Sequence, residues 1–462
     1  MRDRKHLGYR VFEVLVCEFA RRIPRRVTCL LAASLISTAA LAQSTQQTVT
    51  GDSDKSLDLE STKPPFQLGE HLLHAKELSG DWDGTRKKLE TEGVSLRLYY
   101  NQQFQQNFRG GLDTHNGHRL SGSYDVQLLF DFEKLDLWDN AGFFFGFKGT
   151  WSDGINPNKV GALSEVNSDA GDDHPVFLNK WWYWHTFLEK RVEIRAGRIQ
   201  TQKDLFDTSV YANHEDKDFI NRGSFRNPTI PHRNGLGAFV KVEPVPWLYL
   251  QTAAVDAQSR ARRTGFDTAF HDEDRFNGYL EIGATPKWST AKGPMPGRYR
   301  VGGWYDANPK TVFRDTLGGR REAGQRTGDV GFYAGVDQMI WKENEKSDDS
   351  QGLGVFARYG QGHSDVNRVS QYWQIGTSVR GLAPTRDQDV LAFSTAQLIL
   401  SDRYGDEVRP RADRETIYEC YYAWQATPWC IVSPHLQFVT NPGGDKDDRD
   451  AIIGGVRVRI IF

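Results

Sequence analysis

Residues 456–462 read VRVRIIF, so that valine and isoleucine point to one face of an extended strand while Arg457 and Arg459 point to the other. A strand of a soluble β-sandwich packs its apolar face against a second apolar sheet face. A strand of a membrane barrel meets lipid on one face and a polar interior on the other. Because the same combination of one apolar and one charged face recurs along the chain, the sequence favours the barrel.

Alternation with a period of two begins at residue 94 and continues to the end of the chain. It predicts sixteen strands, an even number as in single-chain bacterial barrels, and most have roughly the 9–11 residues that a tilted transmembrane strand needs. The predicted strands lie near 94–100, 124–132, 143–150, 177–189, 192–200, 235–243, 247–257, 275–285, 297–306, 329–342, 352–361, 371–381, 389–400, 415–425, 429–440 and 451–462. The expected fold is all-β: a sixteen-stranded antiparallel transmembrane β-barrel with a short N-terminal helix.

The lengths of the connections support this architecture. Every second connection is long, and the longest is 201–234. The others are short turns, and tryptophans at their ends are typical of an interfacial aromatic girdle. Long loops at one end of the strands and tight turns at the other end are the layout of an outer-membrane barrel.

Composition excludes two other classes of protein. Only 38% of the 462 residues are hydrophobic, and the mean hydropathy is −0.59. A polytopic helical membrane protein needs repeated apolar runs of about 20 residues. This composition therefore excludes that class. The formal net charge of −2 gives no basic excess for binding nucleic acid.

The N-terminal region has the features of an export signal. Four arginines within residues 21–26 precede an uncharged stretch, 27–42, that ends in Ala40-Leu41-Ala42. This is the order of a secretory signal peptide with its small-residue cleavage site. We therefore expect four regions: a signal peptide at 1–42, a flexible periplasmic lead-in at 43–78, a short helix at 79–93 and an outer-membrane β-barrel at 94–462.

Several short segments, taken in order, resemble the OprB-type carbohydrate-selective porin family of Gram-negative outer membranes. They are LSGDWDGTR at 78–86, AGR at 196–198, Phe206, residues 219–225, PGRYRVGGWY at 296–305, GFY at 331–333, GLGVFARYG at 352–360, RDQD at 386–389 and NPGG at 441–444. The resemblance spans residues 78–462. It implies a sixteen-stranded barrel with a sugar-permeable pore.

If the apolar face of each strand points to lipid, a charged set with some aromatic residues lines the interior. Arginine and carboxylate groups can replace the hydration of sugar hydroxyls by hydrogen bonds, and an aromatic ring can cover the apolar face of a sugar. The alternative for any one residue is a generic wet lumen in which the charges merely neutralise each other. The candidate pore-lining and sugar-contacting residues are Arg97, Asp125, Lys148, Glu193, Arg195, Arg298, Arg300, Trp304, Tyr333, Asp337, Arg358, Arg380, Glu415, Glu419, Tyr421, Arg457 and Arg459.

Two finer expectations concern the geometry of the pore. By analogy with general porins, the 201–234 connection is expected to fold inward as a constriction, the alternative being an ordinary exposed loop. A closed barrel pairs its first and last strands, so Arg97 is expected to lie beside Arg457 and Arg459. These three arginines would form a basic strip that contacts the solute, unless Glu415 and Glu419 shield it.

The function we expect is passive, carbohydrate-selective diffusion of small sugars through a bacterial outer-membrane porin, with no enzymatic activity, cofactor or metal. The alternatives are a general diffusion porin with ionic preference, a carbohydrate-binding surface protein without a pore, and an outer-membrane hydrolase that uses serine and histidine. Expected partners are small sugars, outer-membrane lipid and lipopolysaccharide, with a homo-oligomer as a possible assembly and no nucleic acid. The C-terminal aromatic Phe462 is expected to be the signal that the barrel-assembly machinery recognises.

The Ala40-Leu41-Ala42 motif predicts cleavage after Ala42. N-terminal sequencing of protein extracted from outer membranes should therefore begin at Gln43. Outer-membrane protein that retains residues 1–42 would contradict this prediction.

Overall fold

Period-two alternation produces a closed antiparallel sheet in the computed structural model. The structure describes residues 74–171, 173–212, 218–259, 275–313, 324–343, 351–404 and 413–462. The predicted signal peptide and most of the lead-in lie outside these residues. Consecutive strands pair throughout, and β1 also pairs with β16, so the sheet closes into a sixteen-stranded barrel. The predicted fold is confirmed.

The barrel strands cover most of the chain beyond residue 93. They are β1 (Val94–Arg109), β2 (His118–Asp131), β3 (Ala141–Trp151), β4 (His174–Phe187), β5 (Val192–Gln200), β6 (Asn234–Val245), β7 (Leu248–Asp256), β8 (Phe276–Ala284, continued as Lys287–Thr290), β9 (Gly293–Asp306), β10 (Asp329–Lys342), β11 (Gly352–Gly362), β12 (Val369–Arg380), β13 (Val390–Leu400), β14 (Arg414–Thr427), β15 (Cys430–Thr440) and β16 (Ala451–Ile461). Strand β8 is interrupted at Pro286, which has no N–H to donate to the ladder. Both of its segments pair with β9.

The N-terminal helix is shorter than the sequence predicts. Helix α1 covers Thr85–Thr91 rather than 79–93. Trp82 and Asp83 both have positive φ angles, 51° and 54°, and Gly84 before the helix has φ 86°. Residues in the left-handed region form a turn and cannot continue a right-handed helix.

The segment before α1 and the helix itself are attached to the seam of the barrel. The Leu78 N–H donates to the Ile461 carbonyl at 2.8 Å, and the Arg86 guanidinium donates to the Phe462 carbonyl at 3.2 Å. The Phe462 N–H donates to the Leu98 carbonyl of β1 at 2.9 Å. The end of the last strand is therefore held by β1 and by the chain that enters the barrel.

The expectation that Arg97 lies beside Arg457 and Arg459 is wrong. Strands β1 and β16 do pair, but the register sets Asn101 opposite Arg459 and Gln103 opposite Arg457. Arg97 lies four residues beyond Asn101, about 13 Å further along the strand at ordinary strand rise. The stagger of the closed barrel, which the sequence does not reveal, separates the arginines.

The remaining two arginines do not form an open basic strip. Arg457 is 1% exposed and donates to the Asp218 carbonyl at 2.8 Å. Arg459 is 3% exposed, and its guanidinium lies 4.5 Å from the centre of the Tyr99 ring. Loop backbone and an aromatic ring cover these charges, so they do not face solute.

The outer surface carries the expected aromatic residues at the short-turn ends. Trp138, Trp247, Trp288 and Trp341 are all exposed there. Amphipathic rings at the ends of the strands are well placed to lie at the membrane–water interface. Among the described residues, no helix is both long and apolar enough to cross a bilayer.

Deletion of Phe462 should reduce the folded yield of the barrel, because it removes the hydrogen bond to Leu98 and the contact with Arg86 at the seam. The measurement is the fraction of protein in the heat-modifiable band after expression in cells. Phe438→Ala, which truncates a lipid-facing side chain on β15, is the matched control. An unchanged yield on deletion of Phe462 would count against a role for this residue in assembly.

Candidate pore and its constriction

The described parts of two long loops fold into the barrel. The first inner loop (residues 152–173) joins β3 to β4, and the second inner loop (residues 201–233) joins β5 to β6. Phe206, Phe219 and Phe225 of the second inner loop have no exposed surface. The expectation that the 201–234 connection folds inward agrees with this arrangement, whereas the inward course of the first inner loop was not predicted.

Aromatic contacts seat the second inner loop on the wall. The Phe206 ring stacks on Tyr279 of β8 with 5.2 Å between centres. The Phe219 ring meets Tyr421 of β14 edge-on at 5.1 Å. Three phenylalanines in a long polar connection are the sequence signal that this connection is buried.

Charged wall residues bind the first part of the second inner loop. The Asp207 N–H donates to Glu281 of β8 at 2.8 Å. Arg300 of β9 lies between two carboxylates, 3.2 Å from Asp207 and 2.7 Å from Asp337 of β10. The Ser209 hydroxyl also donates to Asp337.

Strands β11, β12 and β14 bind residues 220–224 of this loop. The Arg358 guanidinium donates to the Ser224 carbonyl at 3.1 Å, and the Tyr372 hydroxyl donates to the Gly223 carbonyl at 2.7 Å. Glu419 accepts the Ile220 N–H at 2.6 Å. Buried backbone groups need partners, and here wall side chains provide them.

The first inner loop is bound in the same way. Glu415 of β14 accepts the N–H groups of Leu163 and Ser164 at 2.6 and 2.9 Å. On the other side, Lys148 of β3 makes an ion pair with Asp169 at 2.8 Å. The loop is thus held by two separate strands, β14 and β3.

The two inner loops also bind each other. The Ser168 N–H donates to the Ile220 carbonyl at 2.8 Å, and the Arg222 N–H donates to the Glu165 carbonyl at 2.8 Å. The side chains of Arg222 and Glu165 form an ion pair at 2.8 Å while staying partly exposed. The two loops are therefore joined to each other inside the barrel, and we call the joined pair the partition.

A cavity of about 310 Å³ remains between the second inner loop and the wall formed by β5, β6, β7 and β9. This volume is at the lower end of the range of about 300–1,000 Å³ that is usual for small-molecule sites. Its polar lining includes Glu193, Arg195, Asp204, Thr208, Lys241, Glu243, Tyr249, Gln251 and Arg298. The cavity is therefore small and predominantly polar.

The charges at and beside this cavity occur as close pairs of opposite sign. The pairs are Arg195 with Glu193 at 2.6 Å, Lys241 with Glu243 at 2.5 Å, Arg298 with Glu281 at 3.4 Å and Lys180 with Asp204 at 2.8 Å. Adjacent opposite charges cancel at a distance but keep hydrogen-bonding groups at the surface. The lining can therefore bind hydroxyl groups without a strong net field.

Aromatic rings lie beneath the cations. The Arg195 guanidinium is 5.5 Å from the Trp182 ring centre and 5.4 Å from that of Phe239. The Arg298 guanidinium and the Lys241 ammonium lie 5.4 and 5.3 Å from the Tyr249 ring. Cation–π contact orients these long side chains along the wall.

The Asp204 carboxylate on the second inner loop remains ionised at neutral pH. Burial alone raises the pKa of Asp204, but the ammonium groups of Lys180 and Lys203 outweigh burial and hold the pKa below its usual value. The Lys180–Asp204 pair therefore attaches the start of this loop to β4 as an ion pair.

The structure separates the sequence-predicted residues into three groups. Residues that border the cavity are Glu193, Arg195 and Arg298. Residues buried against the inner loops or their anchors are Lys148, Arg300, Trp304, Tyr333, Asp337, Arg358, Glu415, Glu419, Tyr421 and Arg457. Arg459 is buried beside Tyr99 of β1. Arg97 is exposed, and Asp125 and Arg380 are half-buried at other places on the wall.

Sequence reasoning missed Glu281, Lys241 and Tyr249. Glu281 has no exposed surface and also accepts the Tyr249 hydroxyl at 2.7 Å. Each lies at an inward position of a strand that the alternation identified, so the period-two pattern contained the signal. Among the described residues, no group of three or more His, Cys, Asp or Glu is arranged to hold a metal ion.

Arg300→Met should destabilise the barrel, because it leaves Asp207 and Asp337 buried without their shared cation. Removing one partner of a buried ion pair costs about 3–5 kcal/mol. The measurement is the denaturant midpoint of the purified barrel. Arg119→Met, at an exposed arginine at the start of β2, is the control. Equal midpoints for both variants would contradict the structural role of Arg300.

Comparison with known proteins agrees with this geometry. The model of the family described as "Carbohydrate-selective porin, OprB family" matches residues 115–462. Porin B of Pseudomonas aeruginosa is 22% identical over 423 residues, covering 84% of this chain and 92% of that protein. The putative porin QuiX of Acinetobacter baylyi is 21% identical over 428 residues, covering 83% and 93%.

A solved structure shares the fold. The high-pH structure of Pseudomonas putida OprB superposes with a TM-score of 0.75 at 20% sequence identity, covering 84% of this chain and 99% of that one. The family match covers nearly all of the barrel and confirms the resemblance found in the sequence. The chain therefore belongs to the OprB family of carbohydrate-selective porins, which are outer-membrane transport channels and not enzymes.

Proposed function

We propose that this porin conducts small, uncharged sugars, and that they pass through the cavity between the second inner loop and the wall of β5, β6, β7 and β9. Passage is passive, since diffusion down a concentration gradient requires no energy input. The observation that carries the proposal is the paired charge at the cavity, where each cation has a carboxylate within 2.5–3.4 Å.

Paired charges suit a neutral polyol better than an ion. A sugar hydroxyl can both donate to Glu193 and accept from Arg195, so that it exchanges water for protein without a change of net charge. An ion gains little from a wall whose opposite charges are side by side, yet loses part of its hydration in a narrow passage. The same lining therefore favours sugars and disfavours ions.

Several weak sites in sequence allow release as well as entry. Arg195 with Glu193, Lys241 with Glu243 and Arg298 form successive hydrogen-bonding positions around the cavity. A sugar that moves between them keeps part of its hydrogen bonding at each step. This arrangement supports diffusion at a useful rate rather than tight binding.

The experiment combines liposome swelling with single-channel recording. A neutral monosaccharide should enter liposomes readily and should block ion current in a saturable manner, and the reversal potential in a salt gradient should stay close to zero. A general diffusion porin would instead show strong ion preference and no saturable block. That result would overturn the proposal.

Arg195→Gln should weaken sugar block roughly tenfold, since a hydrogen bond to a charged group contributes about 1.5 kcal/mol. The measurement is the sugar concentration that halves the ion current through a single channel. Arg119→Gln is the control, because this side chain lies at the exposed start of β2 and does not border the cavity. Equal half-blocking concentrations for Arg195→Gln and the wild type would exclude Arg195 from the sugar path.

The further partners remain predictions. Membrane lipid, lipopolysaccharide and the assembly machinery are those that a barrel with a C-terminal aromatic residue is expected to meet. A homo-oligomer is a separate prediction, which cross-linking in intact outer membranes would test. The signal peptide likewise remains a prediction until the mature N-terminus is sequenced.

A further inference from the structure

We propose that Glu415 and Glu419 of β14 are positioning residues that set the size limit of the pore: they hold the two inner loops in place and do not touch the solute. This inference rests on the proposed function, in which solute passes along the free side of the inner loops. It assigns the size limit to two wall residues outside the open cavity.

The two carboxylates occupy one face of one strand. Residues four apart on a β-strand point the same way, and both side chains point into the barrel with no exposed surface. A side chain without exposed surface cannot contact a passing sugar. Their effect on permeation must therefore pass through the groups that they bind.

Glu415 holds the first inner loop and also a second connection. Its Oε2 accepts the Leu163 N–H at 2.6 Å and the Gly443 N–H at 2.9 Å, and its Oε1 accepts the Ser164 N–H at 2.9 Å. Gly443 belongs to the connection between β15 and β16. One carboxylate thus joins two separate loops to the wall through three backbone donors.

Glu419 holds the second inner loop. Its Oε1 accepts the Ile220 N–H at 2.6 Å, and its Oε2 accepts the Asn221 N–H at 3.1 Å. The Asn221 side chain donates to Gln437 of β15 at 3.0 Å, which fixes the same point a second time. Charge-assisted hydrogen bonds of this kind are about twice as strong as neutral ones.

The two anchored points lie beside the junction of the loops. The Ser168 N–H bonds to the Ile220 carbonyl, and the Ser164 hydroxyl lies 2.7 Å from the Asn221 side-chain oxygen. Holding Leu163–Ser164 and Ile220–Asn221 against β14 therefore fixes the partition close to the place where its two loops join. The position of the partition determines how much of the lumen stays open.

A barrel of sixteen strands is wide enough to leave an aqueous channel. The cavity of about 310 Å³ is bordered by Asp204, Leu205 and Thr208, so the second inner loop narrows the lumen beside this wall. If the anchors weaken, the loops are no longer held against β14, and the open space is no longer limited to the cavity on the β5–β9 side. The bore should then widen while the barrel itself stays intact.

Glutamine is the informative substitution. In Glu415→Gln and Glu419→Gln the side chain keeps its length, but one oxygen becomes an NH₂ group that faces a backbone N–H. In each variant, only the remaining oxygen can still accept hydrogen bonds from the loop N–H groups. Glu189→Gln, in the exposed turn between β4 and β5, is the matched control.

The experiment measures the width of the pore and the folding of the barrel separately. A graded series of uncharged polyethylene glycols added to single-channel recordings reports the bore without relying on sugar binding, and heat-modifiability reports the folded barrel. The double variant should stay heat-modifiable, conduct at least about 1.5-fold more current and admit larger polymers than the wild type. In liposome swelling, its rate for disaccharides relative to monosaccharides should rise at least about fivefold.

Each result either supports or overturns the positioning role of Glu415 and Glu419. Folded double-variant channels with the wild-type polymer limit would overturn the positioning role. If the double variant does not fold, the two single variants are measured in the same way, since each retains one anchor. Failure of both single variants to form channels would also overturn the proposal, because it would assign the carboxylates to assembly alone.

The same recordings distinguish an error in the proposed sugar path from an error in the positioning role. If wild-type channels show no saturable block by monosaccharide, while the glutamine variants still admit larger polymers, then the sugar path is wrong and the positioning role holds. If sugar blocks the wild type but the polymer limit is the same in all variants, then the positioning role is wrong and the sugar path holds.

Discussion

Backbone hydrogen bonding in a hydrocarbon environment is the constraint on which the rest of this structure depends. In lipid, each N–H and C=O must find a partner within the protein, and a closed barrel is one of the two ways to achieve this. Pairing of β1 with β16 completes the ring. Closure then fixes which face of each strand meets lipid and which faces the lumen, and so where the charged side chains go.

The same constraint applies inside the lumen. Two inner loops bring unpaired backbone N–H and C=O groups into the barrel, and charged wall residues satisfy many of them. Glu281, Glu415 and Glu419 accept loop N–H groups, and Arg358 and Arg457 donate to loop carbonyls. Much of the charge that the sequence places on the inner face therefore holds loops. The charge left beside the open cavity is arranged in pairs.

The parts of this account that could be predicted from sequence are those with a local periodic signal. Alternation located the strands, because a strand with one lipid-facing and one inward face alternates between apolar and polar residues. For Arg300 and Glu415, the sequence predicted only that the side chains point inward and did not predict that they are buried. The register at closure has no local signal, which is why Arg97 was placed beside Arg459 although Asn101 occupies that position. The extent of α1 was overestimated because the positive φ angles of Trp82 and Asp83 are not recognisable in the sequence. The inward course of the first inner loop depends on the distant residue Glu415, so neither segment alone reveals it.

The most direct test of the central claim is an experimental structure of the porin soaked with a neutral monosaccharide. The account predicts density for the sugar in the cavity between the second inner loop and β5–β9, within hydrogen-bonding distance of Arg195 or Arg298, with Glu415 and Glu419 still covered by the inner loops. Sugar bound on the opposite wall in contact with Glu415 or Glu419, with the inner loops displaced from β14, would contradict it.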